Sequence, residues 1–156
     1  MDAFSRKIVG WSLDDHLKAS LALAALQIAL ASRTVIAGAL VHHSDRGVQY
    51  ACSDYIAALS ENGIQPSMSR AGCPYDNAMA EGFMKTLKQE EVDGRTYRNI
   101  EHARAEISEF LENVYNRKRL HSALGYRPPN EYEMIFAEPV WGAAQHPRQV
   151  QLQPCP

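Results

Sequence analysis

Two acidic residues, Asp45 and Glu81, have the types and spacing needed for metal-assisted chemistry on a phosphodiester. Asp45 directly follows a short apolar run, and Gly47 lets the chain turn sharply after it. In an α/β sheet, chemistry gathers at the carboxyl ends of strands. Glu81 comes after 35 intervening residues, in the first turns of a predicted helix. Hard divalent cations prefer carboxylate oxygens as ligands. The alternative is a turn aspartate and a solvated Glu–Lys pair.

The helix that carries Glu81 is predicted to have two distinct faces. Its polar stripe consists of Asn77, Glu81, Lys85 and Lys88, and its apolar stripe of Met79, Phe83 and Leu87. The apolar stripe can pack while the polar one is presented. An acid that holds a metal, beside lysines that hold phosphates, suits chemistry on a nucleic-acid backbone.

A basic stretch lies further along the chain, between residues 115 and 127, where four positive charges and no negative ones occur. The stretch contains Arg117, Lys118, Arg119 and Arg127, interleaved with Tyr115, His121 and Tyr126. A solvated basic face is one interpretation. Contact with a DNA backbone, aided by the interleaved aromatic residues, is the other.

Two neighbouring histidines, His42 and His43, precede Asp45 and raise the question of zinc. Adjacent side chains of a strand point to opposite faces. The pair is therefore not expected to share a metal, and His43 is expected to be a polar neighbour of the carboxylate site.

Strands and helices alternate along the predicted chain, which indicates an α/β sheet covered by helices. Strands are expected at residues 4–13, 39–43 and 64–69, and helices at 18–31, 53–61, 76–91, 100–116 and 130–136. The helix at 18–31 and the strand at 39–43 are expected to be buried, Ser53 to cap its helix, and residues 121–129 to be rich in turns. Residues 1–136 would form the core, and residues 137–156, rich in Pro and Gln, a disordered tail.

Composition excludes several classes of protein. The chain has 156 residues, of which 46% are hydrophobic and 22% charged, which indicates one packed domain. The net charge of −2 confines any nucleic-acid binding to a local patch. The longest apolar stretch, residues 19–31, is shorter than the roughly 20 residues of a membrane span, so no membrane partner is expected. The three cysteines are odd in number and none lies at C-x-x-C spacing, which argues against a disulfide framework and suits a cytoplasmic location.

Four blocks of sequence resemble those of bacterial insertion-sequence transposases with a retroviral-integrase-like core. They are FSRKIVGW at 4–11, HSDRGVQY at 43–50, DNAMAEGF with LKQE at 76–90, and YNRKRLHSALGYRPP at 115–129. The blocks occur in the family's order, and the gap between Asp45 and Glu81 is similar to the family's.

The resemblance implies an RNase H-like fold, with a mixed sheet flanked by helices, and an Asp-Asp-Glu triad that binds two Mg²⁺ or Mn²⁺ ions. Asp45 and Glu81 would be two of the three acids. Such enzymes hydrolyse a phosphodiester at a transposon end and join the freed 3′-hydroxyl to target DNA. Two cations can stabilise the charge on both the attacking and the leaving oxygen.

The chain departs from the family at its start. The family's first catalytic Asp lies on a strand before the FSR block, and here Asp2 stands too near Asp45 to replace it. We therefore expect a truncated core that lacks the first strand and is inactive and weakly stable alone. An upstream fragment or a helix-turn-helix partner protein would complete it, in a homo-multimer on bacterial nucleoid DNA. The alternatives are a non-catalytic DNA-binding or assembly subunit and an RNase H-like nuclease.

Overall fold

A computed structural model describes residues 1–136 as two compact units. Residues 9–104 form one unit, called here the central unit. Residues 1–8 and the chain from residue 105 onward form the other, called the split unit because its two segments are far apart in sequence. The tail predicted at 137–156 lies outside the described residues.

The first half of the central unit is a β–α–β arrangement preceded by a helix. Helix α1 (Ala19–Ala31) is followed by β1 (Val41–Ser44), a short α2 (Val48–Ala51), α3 (Ser53–Glu61) and β2 (Gln65–Met68). The two strands are parallel, with Val41 opposite Gln65 and Ser44 opposite Met68. A parallel pair needs a crossover connection, which α2 and α3 supply. The α/β character predicted from the sequence is confirmed.

An apolar cluster holds this half together. Its buried members are Leu26 of α1, Tyr55 and Leu59 of α3, and Ile64 just before β2. Gly10 approaches α1 so closely that a Cβ would collide with the backbone at Ala25 and Ala29. The glycine therefore lets the segment that follows residue 9 lie directly against the helix.

Burial was predicted less well than secondary structure. In α1 only Leu26 is buried, and Ile28 is 50% exposed. The start of β1 is also open, since Val41 is 55% exposed. The expectation that both elements are buried is wrong, because apolar composition records what a segment can bury and not which neighbours cover it. Asn62 and Gly63 end α3, with Gly63 at a φ of +65°.

The second half of the central unit begins with a 3₁₀ turn (Pro74–Asn77) that leads into α4 (Ala78–Leu87) and a π-helical turn (Lys88–Val92). Helix α5 (Ile100–Glu109) begins in the central unit and ends in the split unit, where it continues as a second π-helical turn (Phe110–Tyr115). The helices predicted at 76–91 and 100–116 are therefore confirmed in extent. Each changes its hydrogen-bonding pattern near its end, which sequence periodicity did not predict.

The predicted strand at residues 4–13 is wrong. Residues 3–5 form a turn, and residues 6–13 join no strand ladder within the described chain. A side chain takes the place of a neighbouring strand: the Asn116 amide accepts a hydrogen bond from Ile8 N at 2.9 Å and donates one to Ile8 O at 3.1 Å. Asn116 is fully buried.

The split unit is completed by α6 (Pro129–Phe136), which confirms the helix predicted at 130–136. Ser5 and Lys7 bind the two carboxylate oxygens of Glu133 at 2.8 and 3.1 Å. Phe4 packs against Tyr132 and Phe136, with ring centroids 5.1 and 6.2 Å away. The segment at residues 1–8 is thus fastened to a helix more than 120 residues further along the chain.

Ser53 does not cap α3. The N-cap position is Cys52, in extended conformation, and the Ser53 hydroxyl donates to Asp54 instead. The reason is that the helix begins one residue earlier than the capping pattern requires. Among the described residues, no helix combines the length and the apolar character that crossing a membrane requires.

Candidate functional site

Asp45 stands exposed in the turn that follows β1, where the sequence placed it. One carboxylate oxygen accepts a hydrogen bond from Gly47 N at 2.8 Å. A Cβ on Gly47 would come within 2.9 Å of that oxygen, while its φ of −58° is ordinary. Gly47 is therefore needed for close approach to Asp45 and not for an unusual backbone angle.

The backbone on either side of Asp45 is fastened to the residue that follows β2. Ser69 N donates to Ser44 O at 2.9 Å, and the Ser69 hydroxyl reaches the same oxygen at 3.3 Å. Arg46 Nε donates to Ser69 O at 2.9 Å. Both serines are buried, so these bonds are shielded from competition with water. The Asp45 turn is held on both sides by one residue.

The next residue, Arg70, grips the start of the segment that carries Glu81. Its Nε and Nη2 donate to the two Asp76 carboxylate oxygens at 3.0 and 2.9 Å, and its backbone N donates to Oδ2 at 2.9 Å. The Asp76 side chain is only 5% exposed. These hydrogen bonds hold the pKa of Asp76 well below its usual range, so the carboxylate is charged throughout the physiological range.

Glu81 lies in the first turn of α4 with its side chain exposed. With Lys85 and Lys88 it lines one open groove of about 390 Å³, so these three predicted residues share a face. Asn77 is the half-buried N-cap residue of α4 and is not among the groove residues. Within residues 1–136, the Glu81 carboxylate makes no hydrogen bond or ion pair, which leaves both oxygens available to a ligand.

The apolar stripe of α4 is covered only in part. Phe83 and Leu87 are half-buried, Met79 is 40% exposed, and the helix contains no buried residue. One attachment of the helix lies just before its start, where Asp76 of the preceding turn binds Arg70.

The two histidines have separate partners, as strand alternation predicted. His42 Nε2 lies 3.0 Å from the Tyr55 hydroxyl, and its partial burial lowers its pKa. His43 contacts the Ser67 and Ser69 hydroxyls at 3.0 and 3.2 Å. Two imidazoles with different partners on different sides of a strand do not form a zinc site.

The donor chemistry of Asp45 and Glu81 fits a divalent cation, because each offers an exposed carboxylate oxygen without a protein partner. The described residues contain no group of three or more His, Cys, Asp or Glu side chains arranged to hold a metal.

The basic stretch belongs to the split unit. Arg117 and Lys118 are exposed and Arg119 is half-buried. Tyr115, however, is only 3% exposed and packs against the His121 ring at a centroid distance of 5.1 Å, so it is a core residue and cannot stack on a base. Burial and the charges of Arg119 and Arg6 lower the pKa of His121. Tyr126, at 72% exposed, is the aromatic residue left open to a ligand.

Two family models, both described as an integrase core domain, match this chain at residues 1–74 and 62–129. Together they cover all four sequence blocks. The chain belongs to the integrase core domain family. It is 42% identical over 133 residues to the transposase for insertion sequence element IS904 of Lactococcus lactis subsp. lactis, covering 85% of this chain and 52% of that one. It is 41% identical, also over 133 residues, to transposase InsF for insertion sequence IS3A of Escherichia coli, covering 85% and 46%.

The chain spans about half the length of the curated relatives it matches. Its fold is also similar to that of a chain in the cryo-EM structure of the simian T-cell lymphotropic virus intasome in complex with PP2A regulatory subunit B56 gamma. The TM-score is 0.60 at 15% identity, covering 90% of this chain and 48% of that one. The RNase H-like α/β fold expected from the sequence is thereby confirmed.

Sequence reasoning missed the contacts of Arg70 and Asp76. Asp76 was singled out only as a helix start, and Arg70 not at all. The available signal was an Arg and an Asp on either side of the turn-forming Gly72 and Pro74. That pattern places opposite charges at the two ends of a tight loop, but it does not give the bidentate geometry.

Proposed function

We propose that this chain carries part of the catalytic core with which a DNA transposase cuts and rejoins phosphodiesters, and that Asp45 and Glu81 are two of its acidic ligands. The supporting observation is that both acids of the matching sequence blocks present open carboxylate oxygens, one beyond a strand end and one on a helix. Buried or paired acids in these positions would have indicated a structural role.

The chain's own residues supply ligands and positive charge. Asp45 and Glu81 would hold Mg²⁺ or Mn²⁺, two ions in the intact family site. When bound, such ions act as Lewis acids that offset the negative charge developing on the phosphoryl oxygens. Lys85 and Lys88, in the same groove as Glu81, would neutralise adjacent phosphates, and Asn77 would offer its amide to the backbone.

The DNA itself would be held by a second set of charges in the split unit, at Arg117, Lys118 and Arg119. Guanidinium and ammonium groups bind phosphates irrespective of sequence, so this surface would give affinity and register, and choice of transposon end would come from elsewhere. We propose transposon-end and target DNA as substrates, a homo-multimer as the working form, and a bacterial, nucleoid-associated location.

The third acidic ligand is proposed to come from outside residues 1–136, from an upstream fragment or a partner protein. A second candidate function, a non-catalytic DNA-binding or assembly subunit, is favoured by one observation: the described residues hold no group of three metal-ligating side chains. The two candidates differ in whether Asp45 and Glu81 bind a cation.

Mn²⁺ binding by the full 156-residue chain separates them. Titration followed by electron paramagnetic resonance should show Mn²⁺ bound to the unmodified chain, and Asp45→Asn or Glu81→Gln should weaken binding at least about tenfold. Asp54→Asn, which makes the same change in charge on α3, should have no effect. Salt-sensitive DNA binding without any Mn²⁺ binding would contradict the catalytic proposal and support the second candidate.

A further inference from the structure

Two segments of the central unit converge on two consecutive residues, Ser69 and Arg70. Ser69 binds the backbone of Ser44 and the side chain of Arg46, on either side of Asp45. Arg70 binds Asp76, five residues before Glu81. We call Ser69 and Arg70, with Arg46 and Asp76, the junction.

The Arg70–Asp76 ion pair of the junction is more extensively hydrogen-bonded than an ordinary surface ion pair. Asp76 accepts one backbone and two guanidinium hydrogen bonds, all between 2.9 and 3.0 Å, and its side chain is only 5% exposed. A bidentate guanidinium–carboxylate pair fixes orientation as well as distance, because both groups are planar. His43 adds a contact to the Ser69 hydroxyl from β1.

A second ion pair in the same unit, between Arg95 and Glu91, has only a local role and serves as a comparison. Arg95 binds the buried Glu91 at 3.0 Å, but the two are four residues apart and join a helical turn to the chain that follows it. Arg70 and Asp76, in contrast, join the end of β2 to the turn that starts α4, across the loop at residues 71–75. Since α4 has no buried residue of its own, the Arg70–Asp76 ion pair contributes to fixing the position of this helix.

We propose that Arg46, Arg70 and Asp76 are positioning residues, which hold the Asp45 turn and the first turn of α4 to the same end of β2 and so set where Glu81 stands relative to Asp45. This inference rests on the proposed function, because it gives the junction a role in metal binding. None of the three side chains needs to touch the cation. Residues that orient metal ligands typically change metal affinity by 10- to 100-fold when altered.

The test combines hydrogen–deuterium exchange with Mn²⁺ titration on the full chain. Asp76→Asn keeps the size of the side chain and removes its charge, and Arg70→Lys keeps the charge and removes the planar fork. Both should speed exchange at residues 76–82 and weaken Mn²⁺ binding about tenfold. Arg46→Lys should affect residues 44–50 in the same way but more weakly. Asp54→Asn, with the same charge change as Asp76→Asn, should change neither.

The outcomes separate the inference from the function beneath it. Faster exchange throughout the central unit, including α3, would make the junction a general stabiliser and overturn the inference. Unchanged Mn²⁺ affinity in Asp76→Asn and Arg70→Lys, alongside loss of binding in Asp45→Asn, would also overturn it while leaving the proposed function intact. If the unmodified chain binds no Mn²⁺, the proposed function fails. If Asp76→Asn and Arg70→Lys then also leave exchange at residues 76–82 unchanged, the junction does not hold the start of α4 either.

Discussion

The contacts inside the split unit differ in kind from the contacts inside the central unit. In the split unit, one fully buried amide, Asn116, exchanges two hydrogen bonds with the backbone of Ile8, 108 residues away. In the central unit, Leu26, Leu59 and their neighbours form a largely apolar cluster. The split unit also has buried apolar residues, among them Leu111 and Tyr115, so the units differ in this added buried amide and not in the presence of an apolar core.

This difference has a functional counterpart. The acids of the split unit that we described are occupied, since Glu133 binds Ser5 and Lys7. In the central unit, Asp76 is occupied by Arg70, but Glu81 is open and Asp45 keeps one oxygen open. Acids that are paired hold segments in place, and acids left unpaired beside them are available for a ligand.

The largest effect is expected from the apolar cluster. Leu59→Ala should destabilise the central unit by about 2–5 kcal/mol, because the side chain is 1% exposed and its removal leaves a cavity. Urea unfolding, followed by hydrogen exchange in peptides from α3, measures the change. Ile28→Ala, at a residue that is 50% exposed, should cost less than about 1 kcal/mol and serves as the control. Equal losses in the two variants would contradict the assignment of the core.

A slightly smaller loss is expected in the split unit from Asn116→Ala, about 2–4 kcal/mol, because it strands the buried N–H and C=O of Ile8. Exchange in peptides from residues 1–8 should rise with it. Asn113→Ala is the matched control on the same helical turn, since its amide bonds only Glu109 at 2.7 Å. Rapid exchange at residues 1–8 already in the unmodified chain would show that the amide does not hold the segment.

Binding of duplex DNA should distinguish the two basic sets. Replacing Arg117, Lys118 and Arg119 by Ala should lower the slope of log affinity against log salt by about 2–3, and replacing Lys85 and Lys88 by about 2. Fluorescence anisotropy over a series of salt concentrations gives both slopes. Lys18→Ala, which removes an exposed charge before α1, is the control. An unchanged slope in the triple variant would remove the split unit from the DNA surface.

The smallest effect is a pH dependence to which His42 contributes. Partial burial lowers its pKa below the ordinary value of 6.5, so the folded state favours the neutral ring. Its contribution to stability is complete above pH 6.5 and is lost as the pH falls below that value, because the unfolded chain then binds the proton more readily. Urea midpoints between pH 7.5 and 5 should fall less in His42→Gln. His43→Gln removes only a lesser influence on His42, so it should retain most of the dependence.

Local patterns predicted the elements of the central unit well. The helix at residues 53–61 and the placement of Asp45 directly after a strand followed from spacing and turn residues, which act over a few positions. The strand expected at residues 4–13 failed for a non-local reason. Ile8 and Val9 have strand-forming side chains, but a strand also needs a neighbour, and here the hydrogen bonds of Ile8 go to Asn116.

The candidate site was predictable to a similar depth. The identities of Asp45 and Glu81, and the shared face of Glu81 with Lys85 and Lys88, follow from type and spacing. Their support does not, because the Arg70–Asp76 pair depends on how a loop folds back on itself. Exposure also depends on distant residues: Tyr115 lies in a basic stretch typical of nucleic-acid contacts, but it is buried like a core residue.

The pairing of Ile8 with Asn116 has a consequence for biosynthesis. The two partners are separated by 108 residues, so a ribosome working at about 5–20 residues per second makes the first roughly 5–20 s before the second. During that interval Asn116 and Glu133, the described hydrogen-bond partners of Ile8, Ser5 and Lys7, have not yet been made. The elements β1, α3 and β2, in contrast, are complete within a much shorter stretch of chain. The order of translation therefore favours closure of the central unit first, and the N-terminal segment is the last to be secured.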